Sequence, residues 1–467
     1  MIPISYEMIR EAVEGEYRGT LSGPVTSVVI DSRQVTEGAL FVAVKGEKVD
    51  AHRFIPNAYA AGAVCVFASR EYASANEIEV PEGRLLVITE DPVYAMGRLA
   101  KAYRHLFHIP VIAVTGSVGK TTAKEMLAAA LSAGLCVHKT PGNLNSQFGL
   151  PLSVFGLERE HQVAVLEMGM NHFGEIRYLA DIAEPDIGVI TNIGVSHIEF
   201  LGSQRGILKA KTELLEQMDE HSHMFFNGDD PLLREYAQTC RIPHTLYGFE
   251  EGADIRCVDY KQNGKILQAE IIADGHTVLL EAQALGKHLV NAMMIGFGIG
   301  RYLGLSDEVI RKGLLSFAPT SRRMNVHETE HYLILDDSYN ASPASCKAAI
   351  DVAEGQKKQT GRRLVAVLGD MFEMGFYAAR AHREVGAYVA ENGVDKLIAV
   401  GAFSAEMADE ATKVAADLGK DLEVVYYPNL DELKKNLFSE LRDDDIILVK
   451  ASNGMAFGSL IPMLIGE

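Results

Sequence analysis

Residues 115–122 read TGSVGKTT, directly after an apolar run and directly before a helical one. Gly116 and Gly119 let the backbone turn tightly and aim its N–H groups at phosphate oxygens. Lys120 has the reach and charge to meet terminal phosphates, and Thr121 can offer its hydroxyl to Mg²⁺. A helix opening here adds the positive end of its dipole. Thr115, Ser117, Val118 and Thr122 complete the cradle. The strict phosphate-loop pattern begins with glycine at 114, where this chain has Val114, so the reading rests on the strand–loop–helix context. The bland alternative is a glycine-rich helix entry with an exposed lysine.

Three further side chains suit a metal–phosphate site. The run VAVLE ends in Glu167, a carboxylate at the end of a buried strand, placed to hold a hard cation. Taken alone, such an acid is more often a solvated strand end. His197 follows the next apolar run, DIGVIT, and shares an edge with the phosphate loop if the sheet is parallel; a lone histidine is usually structural. The run SQRGILKAKTELLEQM reads as a helix, on which Lys209 and Lys211, two apart, cannot share a face. Side-chain chemistry alone calls both of them surface lysines.

The elements that must position these groups fall into three sections. Residues 1–90 carry β-rich runs (SVVIDSR, ALFVAV, RLLVITE) around a helix-like FIPNAYAAGA, a small α/β unit. Residues 91–318 open on a helix, VYAMGRLAKAYRHLF, and continue as buried strands alternating with helices. That is the grammar of a mainly parallel P-loop sheet with helices on both faces. Residues 319–467 repeat it with YLILDDS, LVAVLGD, KLIAVG and DIILVKAS, a Rossmann-like unit. One of its helices opens at Ser342-Pro343, serine as N-cap and proline at the first helical position. Open sheets of this kind hold ligands at the carboxyl ends of their strands, where several of the motifs fall.

Composition removes other classes. A net charge of −19 argues against a nucleic-acid or membrane-surface binder. Five cysteines, an odd count with no C-x-x-C spacing, fit a reduced cytoplasmic protein without a zinc framework. The first residues, MIPISYEMIREAVEGE, carry acids early and no apolar signal core. The greasy run 292–300 is far shorter than the roughly 20 residues that span a bilayer. No membrane insertion is expected, and a monomer is.

TGSVGKTT, then TPGNLNSQFGLP (140–151), EMGMNHFGEI (167–176), and TNIGVSHIEFLGS with KAKTE (191–213) resemble, in that order, the Mur ligase family. DDSYNASP (336–343) and LGDMFEMG (368–375) are similar to its dipeptide-adding branch, and residues 31–63 to its uridine-nucleotide-binding domain. The resemblance implies a UDP-substrate domain at 1–90, an ATP domain at 91–318, and a domain at 319–467 that takes the incoming dipeptide and closes on ATP. It implies ATP, two Mg²⁺ ions and a carbamylated lysine, Lys211. Lys120 would hold terminal phosphates, Thr121, Glu167, His197 and Lys211 the metal ions, Asn291 the adenine, and Arg323 and Asp337 the nucleotide from the third section. Asp31, Ser32 and Arg33 would meet the uridine nucleotide. Asn143, Asn145 and His172 would line the path of the muramoyl peptide, with Tyr339 and Asn340 as further substrate contacts. Two departures stand out. Ala51 lies where the family commonly has glycine, and VKASN (449–453) puts Ala451 and Asn453 in place of a glycine and an arginine. Asparagine lacks arginine's two-pronged grip.

The implied reaction joins a UDP-N-acetylmuramoyl-tripeptide to D-alanyl-D-alanine with ATP, through an acyl phosphate, to build a cell-wall peptidoglycan precursor. Two alternatives stay open: a sibling or folylpolyglutamate-type ligase adding one amino acid, and a P-loop NTPase that only hydrolyses nucleotide.

Overall fold

Alternating apolar runs and amphipathic segments become three sheets flanked by helices. The computed structural model describes residues 1–46 and 48–466; Glu47, inside the stretch similar to a uridine-nucleotide domain, lies outside them. The chain packs as two compact units. One comprises Met1–Thr115, Leu135–Gly188 and Thr212–Met224; the other comprises Gly116–Gly134, Val189–Lys211 and Phe225–Glu467.

The first sheet has five strands, in the order Glu16–Gly19, Leu85–Thr89, Cys65–Ser69, Ala39–Val42, Ser27–Val29. All neighbours are parallel except the edge strand Glu16–Gly19. Its central strands are wholly buried, as their unbroken apolar runs require.

The nine-stranded sheet runs in the order His276–Gln283, Ile266–Ala273, Ile255–Asn263, His244–Gly248, His223–Asn227, Ile187–Ile190, Val111–Thr115, Val163–Glu167, Val137–Lys139. The last three pair in parallel. The expectation of a mainly parallel sheet needs one correction. Ile255–Asn263, Ile266–Ala273 and His276–Gln283 form an antiparallel meander. Ile266–Ala273 and the end of His276–Gln283 alternate between buried and less buried positions, and most of Ile255–Asn263 is solvated, so the three read as polar segments rather than apolar runs. The greasy run 292–300 lies in the helix Val290–Tyr302, most of which is buried. It packs on the helix Lys120–Ser132 behind the phosphate loop. At Gly296 a Cβ would sit 3.0 Å from that of Ala130, so glycine permits the close approach.

The third sheet has six strands, in the order Asn325–Glu328, Tyr332–Asp336, Asp445–Lys450, Leu364–Gly369, Lys396–Val400, Glu423–Tyr427. Only Asn325–Glu328 is antiparallel. The helix Pro343–Thr360 starts as expected: the Ser342 hydroxyl accepts from the Ser345 N–H, Ser345 answers in kind, and Gly361 ends the helix at φ 74°. No helix among the described residues is long and apolar enough to cross a membrane. All five cysteines are free thiols.

Candidate active site

The phosphate loop leaves the fully buried strand Val111–Thr115 and enters the helix Lys120–Ser132. Gly116 has φ 149° and Gly119 φ 82°. A Cβ on Gly116 would lie 1.9 Å from the Thr191 hydroxyl, so no other residue fits, while the corresponding position at Gly119 faces open space. The loop is braced by residues that follow the strand Ile187–Ile190. Asn192 accepts from the Val118 N–H (2.9 Å) and donates to its carbonyl (2.8 Å), and the Thr191 hydroxyl donates to that same carbonyl (2.7 Å). The Ser117 N–H donates to the Asn192 carbonyl (3.0 Å). Lys120 folds back to donate to the Gly116 carbonyl (2.8 Å). The hydroxyls of Thr115 and Ser117 are buried without a hydrogen-bond partner, a costly state. Thr191 and Asn192 lie in a segment whose likeness to the family is visible in sequence, yet their bracing role has no local signal.

Glu167 belongs to the other unit. It is 1% exposed, not the solvated strand end that its position alone suggests. It stands opposite Val114 across the parallel pairing, so it flanks the strand that runs into the phosphate loop. Asn145 donates to its Oε1 at 2.6 Å, and the Thr140 hydroxyl accepts from its N–H at 2.9 Å. Asn143 lies in the same turn, its carbonyl accepting from the Asn145 N–H. His172 is exposed, with Nδ1 3.4 Å from Glu175. Glu213 caps the helix Glu175–Ala183 by accepting from the Gly174 N–H with both oxygens (2.9 Å).

Lys211 overturns the surface reading: it is 1% exposed, whereas Lys209 is exposed. Burial, with the Lys120 charge second, pushes its ammonium well below the ordinary lysine range. No described carboxylate forms an ion pair with it.

His197 sits at φ 64°, heading the short helix Ile198–Leu201. Glu373, at φ 62°, places a carboxylate oxygen 2.6 Å from its Nδ1. Left-handed backbone costs a non-glycine residue on the order of 1 kcal/mol or more, and such residues gather at functional sites. The His197 imidazole, against the opposing cost of burial and with help from Lys120, holds the Glu373 carboxyl below the usual range.

Arg323 reaches the loop's helix, donating to the Thr121 hydroxyl at 3.2 Å while its guanidinium lies 4.1 Å from the Tyr339 ring centre. Its neighbours Arg322 and Met324 are also left-handed. Asp337 accepts from the Met324 N–H (3.2 Å) and pairs with the buried Lys450, which also donates to the Asn340 carbonyl (2.9 Å). Lys450 lies in the VKASN strand end and was not among the residues that sequence reasoning singled out. Asn291 lines a cleft of about 370 Å³ with Asp229, Phe249, Lys287, His288 and Asp351, and its Oδ1 is buried without a partner. Asp31 caps the turn Ser32–Gln34, which carries Arg33 and follows the strand Ser27–Val29 of the five-stranded sheet. Asp31 and Arg33 pair through two prongs (2.9 and 2.6 Å), which holds the Asp31 carboxyl down at about 2.

No three His, Cys, Asp or Glu side chains among the described residues converge as a metal cage. Mg²⁺ does not need one. It keeps waters and binds through one or two protein groups plus substrate phosphates. The Thr121 hydroxyl in one unit and the buried Glu167 carboxylate in the other are each the kind of oxygen that mode uses, and the open face at Gly119 with the unpartnered Ser117 hydroxyl fits a polyphosphate.

Residues 114–300 match the Mur ligase middle domain, residues 322–453 the Mur ligase glutamate ligase domain, and residues 24–104 the Mur ligase family catalytic domain. The UDP-N-acetylmuramoyl-tripeptide–D-alanyl-D-alanine ligase of Bacillus subtilis is 36% identical over 455 residues, 96% of each chain. That of Escherichia coli is 31% identical over 86% of each. Among solved structures, a MurF crystal structure from Acinetobacter baumannii superposes with a TM-score of 0.87 at 28% identity, covering 100% of this chain and 99% of that one. MurF ligase from Thermotoga maritima in complex with ADP gives 0.79 at 29% identity, covering 95% and 98%. With three successive domain matches and a phosphate loop braced as a nucleotide site requires, the chain belongs to the Mur ligase family.

Proposed function

We propose that this enzyme uses ATP to join the terminal carboxylate of a UDP-N-acetylmuramoyl-tripeptide to the amine of D-alanyl-D-alanine, releasing ADP and phosphate, in peptidoglycan precursor synthesis. The observation that carries this reading is full-length similarity to ligases of that name in a chain whose phosphate loop keeps its glycines, its lysine and its bracing strand. Residues 1–90 take the UDP end of the acceptor through Asp31, Ser32 and Arg33. Residues 91–318 hold ATP, and residues 319–467 bring the dipeptide.

A carboxylate is a poor acyl donor because its leaving group would be oxide. Its oxygen therefore attacks the γ-phosphorus of ATP, the bond to ADP breaks, and an acyl phosphate forms. The dipeptide's amine nitrogen then attacks the acyl carbon, phosphate departs with the former carboxylate oxygen, and the nitrogen loses a proton. The first step brings two anions together, so positioning and charge neutralisation supply most of the rate. Lys120 and the helix end that opens at Gly119 cradle the phosphates. Asn291 reads the adenine, and Arg323 and Asp337 grip the nucleotide from the third section. Asn143, Asn145 and His172 line the peptide's path, with Tyr339 and Asn340 beside it. Thr121, Glu167 and His197 hold Mg²⁺, which when bound neutralises phosphate charge and favours attack at phosphorus.

Lys211 joins that set as a carbamate. A neutral amine attacks CO₂, a C–N bond forms and a proton leaves, giving an anionic oxygen ligand. The burial that lowers the amine's hold on its proton supports this step. We assign the enzyme to the cytoplasm, a reading supported by its five free thiols and by the use of ATP and a UDP-linked substrate.

Phosphate release with each substrate omitted in turn, together with the product mass, tests the reaction. Sustained turnover should need both acceptor and dipeptide, and the product should equal their sum less water. Steady hydrolysis of ATP without either one would identify a P-loop NTPase of another kind, and a single amino acid serving as amine would identify a sibling ligase.

A further inference from the structure

The parallel strands of the third sheet end in the loops 337–342, 370–377, 401–403, 428–429 and 451–459. Ligands of such sheets sit at these carboxyl ends, yet the loops hold no lysine, arginine or histidine. A substrate carboxylate arriving there must find its counter-charge elsewhere. Among the described residues of the third section, Lys450, Arg380, Arg323 and Arg322 are the lysines and arginines that meet these loops. Lys450 is buried and pairs with Asp337. Arg380 lies over Tyr377, exposed and paired with Glu384 (3.1 Å). Arg323 donates to the Thr121 hydroxyl, on the helix of the phosphate loop. Arg322 remains, and no described carboxylate forms an ion pair with it.

Arg322 is built into the loop 337–342. Its Nε donates to the Ser338 hydroxyl (3.1 Å) and its Nη2 to the Ser338 carbonyl (2.7 Å), while its own carbonyl accepts from the Tyr339 N–H (3.2 Å). Ser338 is fully buried, and its hydroxyl donates in turn to Asp336 (2.6 Å). Gly458 leaves the room that the guanidinium occupies, because a Cβ there would lie 2.8 Å from Nε. The backbone of Arg322 is left-handed at φ 62°, a conformation that gathers at functional sites. Its Nη1 has no hydrogen bond to any described residue. The guanidiniums of Arg322 and Arg323 lie 5.8 and 4.1 Å from the centre of one Tyr339 ring. Two like charges so close, half-buried and without acids of their own, suit two anions.

We infer that Arg322 is a specificity-determining residue that grips the free carboxylate of the incoming dipeptide, beside Arg323 on the nucleotide. The inference rests on the dipeptide-adding reaction proposed above. The attacking amine must be uncharged, so the carboxylate is the one fixed charge that the dipeptide offers. The bonds to Ser338 hold the plane of the guanidinium and leave Nη1 for the substrate, and arginine's fork matches the two oxygens of a carboxylate.

The test is steady-state ligation by the full-length enzyme with D-alanyl-D-alanine and with its C-terminal amide, D-alanyl-D-alaninamide. The parent should prefer the acid by about 10- to 100-fold in kcat/KM, the worth of a hydrogen bond to a charged group. Arg322→Asn puts in a residue that accepts left-handed backbone. The KM for the acid should rise about 10- to 100-fold, while kcat/KM for the amide and KM for ATP stay at the parent's level, so the preference vanishes. Arg322→Lys, which keeps the charge without the fork, should keep part of the preference. Equal losses on acid and amide in Arg322→Asn make Arg322 a brace for Ser338 and overturn the assignment, as does an intact preference or a parent indifferent to the amide. A parent that ligates neither dipeptide overturns instead the proposed reaction on which the assignment rests.

Discussion

The loops at 116–119 and 370–375 each follow a fully buried parallel strand, and each is stitched to residues beyond a second strand. They differ in what the stitching holds. At 116–119 the backbone itself is the instrument: two glycines with positive φ at the entry to a helix, braced by Thr191 and Asn192. At 370–375 the backbone is a bracket for one side chain, Glu373, held in a conformation that a non-glycine residue resists. The first arrangement tolerates no added atom at Gly116; the second tolerates replacement of its side chain at the cost of aim. That difference orders the expected effects of mutation.

Gly116→Ala should be the most damaging change, because its methyl would fall 1.9 Å from the Thr191 hydroxyl and push the loop off its brace. Ligation should drop by about 10³-fold, as losses of phosphate-stabilising groups do, and ADP affinity should drop with it. ADP binding equal to the parent's would break the idea that the backbone is the instrument here. Lys211→Met should lower turnover by about 10²-fold, the lower end of what loss of one preorganised electrostatic group costs, while raising Tm. The sign follows from linkage. The folded-state pKa of Lys211 lies below its unfolded value, so the unfolded chain binds more protons. The cost is absent above the ordinary lysine range, grows as pH falls below it, and levels off once the folded pKa is passed. In CO₂-free buffer the variant should therefore lose up to about 1.4 kcal/mol per pH unit of the parent's rise in stability across that window. Urea titrations at several alkaline pH values read this slope, and an unchanged slope contradicts the lowered pKa of the buried amine.

Asn192→Ala removes both side-chain bonds to Val118 but leaves the glycines in place. It should weaken ADP by about tenfold, in line with about 1–3 kcal/mol for unsatisfied backbone groups. Calorimetry would sharpen the comparison by showing how much of the loop's rigidity is borrowed. Ser342→Ala touches neither loop. It should cost about 1 kcal/mol of stability through its cap and leave KM and kcat within twofold, measured on the folded variant.

What could be read from sequence follows the same division. The phosphate loop was legible because its demands are local: glycines where φ must be positive, a lysine and a threonine at fixed offsets, an apolar strand before and a helix after. The Ser342-Pro343 helix start was legible for the same reason. Lys211 was not, because the run around it has the polar look of a solvated helix and only tertiary packing buries it. Glu373 and His197 meet through a fold that no local pattern encodes. The meander at 255–283 hid in its polar alternation, a period-two signal masked by lysine, glutamate and glutamine on the wet face.

The central claim is that a substrate carboxylate is activated by phosphoryl transfer at the 116–119 loop. The most direct measurement labels that carboxylate of the UDP-linked tripeptide with ¹⁸O and analyses the phosphate released after ligation. One ¹⁸O in each phosphate is the predicted result, because the oxygen that attacks phosphorus departs with it. Unlabelled phosphate from a reaction that still forms the peptide bond would contradict the account.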